Sequence, residues 1–191
     1  MAALVYDKRG AGRSGGEYES NQSVSEKNTS LLADDTVAAL QGVRIGVAGI
    51  SQAGWIAPIA ARRCTAARFL VLWSSPVVKV SEEDIFSKYT ADRDGLTAPP
   101  YAEAQRARTT PSIWPDFLGV DTDPSETPRS RSIPGLWLFS DNDGSIPVDL
   151  SIERLQMLRQ AGHRYDYVLF SGLGHNNKGR TFATAIDWIR R

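Results

Sequence analysis

The stretch Val43-Arg44-Ile45-Gly46-Val47-Ala48-Gly49-Ile50-Ser51-Gln52-Ala53-Gly54-Trp55-Ile56-Ala57 decides how this chain is read. An apolar run, Val43 to Ala48, has the look of a strand; a helix-like segment begins at Gln52; and a serine stands between them. A strand that ends in a serine opening a helix lifts that hydroxyl clear of the sheet, provided that small residues stand two positions to either side and that the serine accepts a strained backbone costing on the order of 1–3 kcal/mol. Gly49 and Ala53 supply the small residues, although glycine is the more usual choice at the second position. The other reading of Ser51 is a helix cap, its hydroxyl satisfying a free backbone N–H. The strand-to-helix context favours an activated nucleophile.

Working outward, apolar segments alternate in kind. Leu32, Val37 and Leu40 recur at helical spacing over 31–40, and Asp34-Asp35 near the start of that segment suit the positive end of a helix. Gln52 to Arg63 reads as a helix with an irregularity at Pro58. Phe69 to Trp73 reads as a buried parallel strand. Residues 78–132 break the rhythm with charge, proline and glycine, and predict a short cap insertion holding one or two helices, with Ile85-Phe86, Tyr101, Trp114 and Phe117 packing it down. Strand and helix then return: Gly135 to Phe139, Leu150 to Ala161 ending at Gly162, Tyr165 to Phe170, and Phe182 to Ile189. The expected class is α/β, a mainly parallel sheet flanked by helices, in a single domain over 1–191.

Composition narrows the function classes. Lys plus Arg and Asp plus Glu number 22 each in 191 residues, so no net charge draws the protein to nucleic acid or an anionic membrane. The single cysteine, Cys64, has no disulfide or metal-site partner and reads as a half-buried residue at a helix end. No run approaches the roughly 20 apolar residues of a membrane span, and no leader pattern precedes Leu4-Val5-Tyr6. The expected location is the cytoplasm.

Ala2 to Tyr6 reads as a strand running into the glycine-rich loop Asp7 to Gly16. Gly10-x-Gly12-x-x-Gly15 matches a dinucleotide fingerprint, but Glu17 to Asn28 lacks the amphipathic helix that such a loop must open. A dinucleotide is therefore not expected.

A serine hydroxyl needs a base, and the base needs a carboxylate. Of the two histidines, His163 follows the helix-ending Gly162 and reads as a solvated loop residue. His175 lies in Ser171-Gly172-Leu173-Gly174-His175 just after a strand, where α/β folds place their sites, and is the expected base. Asp141 and Asp143 both follow the strand 135–139. Asp143 is preferred, because Asp143-Gly144-Ser145-Ile146-Pro147 turns into a helix and completes the chain order Ser, Asp, His; Asp141 is read as capping a turn.

With these motifs in order, the chain resembles the serine esterases of the α/β-hydrolase superfamily. The loop Val5 to Ser14 is similar to the family's loop after its fourth strand, Gly49 to Trp55 to its elbow, Asp143 to Pro147 to its acid loop, and Gly174-His175 to its base loop. The resemblance implies a reduced α/β-hydrolase fold that hydrolyses carboxylic esters without metal or organic cofactor. Ser51 would be the nucleophile, His175 the base, Asp143 its partner, and the Gln52 amide an oxyanion donor. Thioesterase, acyltransferase or peptidase chemistry would use the same residues, and the short insertion points to small or short-chain esters.

The family's first three strands and the loop after the third have no counterpart here. That loop normally supplies a second oxyanion donor, and losing one donor costs on the order of 10²–10³ in rate. Two expectations follow: that Ala2 to Tyr6 pairs with Val43 to Ala48 and brings Asp7 to Gly12 near Ser51, or that a second copy covers the exposed sheet edge. A remnant fold that binds without turnover is the alternative from outside enzymology.

Overall fold

The computed structural model describes residues 5–18, 26–40, 45–95, 97–108, 120–126 and 133–191. In chain order the elements are α1 (Glu26–Leu40), β1 (Ile45–Ile50), α2 (Ala53–Arg63), β2 (Ala67–Trp73), α3 (Val80–Thr90), α4 (Tyr101–Ala107), a single 3-10 turn at Pro124–Glu126, β3 (Gly135–Ser140), α5 (Val148–Gln160), β4 (Tyr165–Phe170) and α6 (Lys178–Ile189). The four strands form one parallel sheet in the order β1-β2-β3-β4.

Alternation along the strands divides the core between the two faces of the sheet, since neighbouring side chains point to opposite sides. Leu70, Leu72, Trp137 and Phe139 face one layer with Ala57 of α2 and Leu155 of α5. Val71, Trp73, Leu136 and Leu138 face the other, where Ala185, Trp188 and Ile189 of α6 pack. Strands covered on both faces are apolar throughout, which is why β2 and β3 read as continuous hydrophobic runs.

Several expectations need correction. The first helix begins at Glu26, not near Leu31, so Asp34 and Asp35 lie within it and pair sideways with Arg63 (2.7 Å) and Arg9 (2.6 Å). Its first turns escape an apolar-period reading because polar Asn28, Thr29 and Thr36 fill buried positions. The Thr36 hydroxyl lies 3.0 Å from the Leu32 carbonyl and 2.6 Å from the Tyr6 hydroxyl.

His163 is buried, not solvated: its ring lies 5.1 Å from that of Tyr165, just below the start of β4. Val5 and Tyr6 are outside any strand, with Val5 88% exposed. The remainder of the expected strand, Ala2 to Leu4, lies outside the described residues, as do Val43 and Arg44. Among the described residues β1 is an edge strand. Between residues 78 and 132 the described residues hold α3, α4 and the 3-10 turn, and Trp114 and Phe117 fall outside the described residues. Cys64 caps α2 and is buried. Among the described residues no helix is long and apolar enough to cross a membrane.

Candidate active site

Ser51 follows β1 directly and adopts φ +54°, a left-handed conformation uncommon outside glycine, asparagine and aspartate. Its N–H donates to the Trp73 carbonyl at 3.0 Å, so the turn is fastened to the end of β2. The sharp reversal brings residues 49 and 53 together. A Cβ on Gly49 would stand 2.3 Å from that of Ala53, so the small pair flanking the serine is a steric requirement. Gln52 comes next, at the N-cap of α2. Its backbone N–H has no partner among the described residues, and it sits where the helix presents its positive end.

Asp143 lies in the loop after β3 and is fully buried. Burying a carboxylate is costly unless it is hydrogen-bonded. Here Oδ1 accepts the N–H groups of Ser145 (2.9 Å) and Ile146 (3.2 Å), and both oxygens lie 3.0 Å from Nδ1 of His175. An ionised carboxylate only accepts, so this contact assigns the proton of the neutral imidazole to Nδ1 and leaves Nε2 as its basic nitrogen.

Burial alone would pull the His175 imidazole down. The hydrogen bond to Asp143 and the negative charges of Asp143 and Asp94 outweigh it, holding His175 above the ordinary histidine value of 6.5.

The strand ends are tied together beneath these loops. Asn177, buried at the start of α6, donates through Nδ2 to the hydroxyls of Ser140 (2.7 Å) and Ser74 (3.2 Å). The Trp73 indole donates to Thr181 at 2.9 Å. Asp141 accepts from the Ser171 hydroxyl (2.8 Å) and the Gly172 N–H (2.7 Å), so it secures the base loop and leaves the imidazole to Asp143.

Two carboxylates of the insertion bear on the site without having been singled out from the sequence, because nothing in a charged, irregular segment marks one acid among many. Glu83 of α3 is pushed up to about 8, first by burial and then by Asp92 and Asp84. Asp94 accepts the His175 backbone N–H at 2.9 Å.

A cavity of about 430 Å³ runs along the free edge of β1, lined in part by Tyr6, Lys8, Thr36, Ile45, Val47 and Gln52. It reaches Gln52 and Ala53 beside the elbow, and its lining includes none of Ser51, Asp143 and His175. The loop 9–16 is held to α1 by the Arg9–Asp35 pair, and the Gly10 and Ala11 amides bond within the loop itself. The fingerprint Gly10-x-Gly12-x-x-Gly15 neither follows a strand nor opens a helix in residues 5–18. Among the described residues no cluster of His, Cys, Asp and Glu could hold a metal ion.

No protein-family model matches the chain, and no curated protein matches it by sequence. Solved structures do. An esterase of Pyrococcus furiosus superposes with a TM-score of 0.64 at 17% identity, over 97% of this chain and 68% of its own. A thermophilic esterase of Thermogutta terrifontis gives 0.62 at 19%, over 96% and 78%. The acylaminoacyl peptidase of Pyrococcus horikoshii gives 0.51 at 16%, over 82% of this chain but 26% of the peptidase. With Ser51, Asp143 and His175 each just past the carboxyl end of a parallel strand, and with these structures superposing on nearly all or most of the chain, the protein has the α/β-hydrolase fold.

Proposed function

We propose that the protein is a serine carboxylesterase acting on small or short-chain esters through Ser51, His175 and Asp143. The observation that carries the reading is the pairing of a fully buried carboxylate with His175 at 3.0 Å, in a molecule where Ser51, left-handed and set directly between a strand and a helix, lies at the same end of the same sheet. The esterases of Pyrococcus furiosus and Thermogutta terrifontis that share the fold support an ester as the substrate, and the acylaminoacyl peptidase that shares it keeps an amide as the alternative.

In the proposed reaction the Ser51 hydroxyl attacks the ester carbonyl as His175 Nε2 takes its proton. Asp143 holds the ring and stabilises the imidazolium. Negative charge gathers on the carbonyl oxygen, and the Gln52 N–H with the positive end of α2 receives it. The C–O bond to the alcohol then breaks, His175 returns the proton to that oxygen, and an acyl-Ser51 ester remains. A water molecule, deprotonated by His175, attacks the acyl group; the carboxylic acid leaves and Ser51 recovers its proton.

Among the described residues the Ser51 hydroxyl has no hydrogen-bond partner. Catalytic hydrogen bonds are often long before substrate binds. The same observation favours one competing reading, a fold that binds ligand without turnover. A fluorophosphonate probe separates the two, because it labels only an activated serine: covalent labelling that is lost in Ser51→Ala is expected, and an unlabelled wild-type protein would sink the enzyme reading.

A further inference from the structure

The turn that ends α3 reaches across to both loops bearing the Asp143–His175 pair. Ala91 and Asp92 are consecutive left-handed residues, φ +54° and +53°, an arrangement that costs energy and persists only where its surroundings impose it. Backbone bonds from Asp92 to Ser87 (3.0 Å) and from Arg93 to Thr90 (3.3 Å) close the turn. Beyond it, the Thr90 hydroxyl donates to the Gly144 carbonyl.

Asp94 completes the contact with one carboxylate divided between two loops. Oδ1 accepts the Gly144 N–H at 3.1 Å, and Oδ2 accepts the His175 N–H at 2.9 Å. Gly144 adjoins Asp143, so this carboxylate binds the backbone next to the acid and the backbone of the base itself. The fit is close on both sides. A Cβ on Gly144 would fall 2.1 Å from the Arg93 carbonyl oxygen, and one on Gly174 would fall 2.3 Å from Asp94 Oδ2. Both loops therefore carry glycine where the insertion lies against them.

We propose that Asp94 is a positioning residue: it clamps the acid loop to the base loop and so fixes the registry of His175 with Asp143. The inference rests on the esterase reading and deepens it, since it gives the insertion a part in catalysis. Alignment of reacting groups is sensitive, a displacement of about 1 Å being able to cost on the order of 10²-fold in rate. Asp94 also adds negative charge beside the imidazole. The acidic groups bearing on His175 are Asp143 from the loop after β3, Glu83 from α3, and Asp94 itself.

The test compares the unmodified protein with Asp94→Asn and Asp94→Ala on p-nitrophenyl acetate, across the acidic limb of the pH profile. Asparagine keeps one acceptor and loses the charge; alanine loses both. For both variants kcat falls by about ten-fold or more with KM little changed, and the acidic limb moves to lower pH. A merely structural residue would lower the amount of folded enzyme and leave the limb in place. Rates and limbs that superimpose on those of the unmodified protein overturn the proposal.

Hydrogen exchange in the unmodified protein gives a reading that needs no variant. The Gly144 and His175 amides, both donated to Asp94, exchange slowly if the clamp is present, and exchange as fast as an open loop overturns it. If the unmodified protein neither turns over ester nor takes the fluorophosphonate, the esterase reading has failed, and the exchange rates alone decide whether the clamp exists.

Discussion

In the proposed reaction the His175 imidazole must be neutral at Nε2 to take a proton from Ser51. Burial lowers its affinity for protons, but the bond to Asp143 and the surrounding acids win, so His175 titrates above 6.5. The acidic limb of kcat/KM is therefore expected above the pH of a free imidazole, and a limb below 6.5 would contradict the balance described. The same sign governs stability: the contribution of this pair is full below 6.5 and is lost as pH rises through the folded value. Glu83 offers a second check. Its folded value, about 8, lies above its ordinary 4.5, so the folded state holds the proton more tightly and stability falls as pH rises between the two. Glu83→Gln should match the wild type at pH below 4.5 and exceed it above 8, by about 2–4 °C in Tm or more. Equal melting temperatures at both ends of the range would show that the Glu83 carboxyl is well solvated. Neither effect is visible in the sequence, where Glu83 is one acid in an acidic run.

At the scale of the element, what could be read in advance depended on whether local chemistry or distant packing set the outcome. The elbow was legible because its requirement is local. Gly49 and Ala53 must be small since a Cβ on Gly49 would lie only 2.3 Å from that of Ala53, and that demand shows directly as residue types two positions from the serine. Gly49→Ala is predicted to cost about 1–3 kcal/mol and to reduce fluorophosphonate labelling sharply, readable by denaturant unfolding and by the labelled fraction. Wild-type stability and labelling would mean that the turn has room to spare. The start of α1 was not legible, because buried Asn28, Thr29 and Thr36 erase its apolar period. His163 was misread for a related reason. The loop position after Gly162 suggests solvent, whereas the tilted packing of its ring against Tyr165 depends on how α5 returns to the sheet.

At the scale of the molecule, the order of serine, aspartate and histidine along the chain matches the order of strands across the sheet. β1 carries Ser51, β3 carries Asp143 and β4 carries His175, so one parallel sheet read in chain order delivers all three groups to one end. A linear motif order can therefore be read as an order across the sheet. The second oxyanion donor was not legible in the same way. Of the segment expected to pair as a strand, Tyr6 is bonded to Thr36 of α1, and Arg9 of the loop that follows pairs with Asp35, beside a cavity lined by Tyr6, Lys8 and Gln52. The most direct measurement is hydrolysis of p-nitrophenyl acetate and butyrate by the purified protein beside Ser51→Ala. Turnover on both esters is expected to fall by about 10⁴-fold or more in the mutant; equal rates in the two proteins would overturn the assignment of Ser51 as nucleophile.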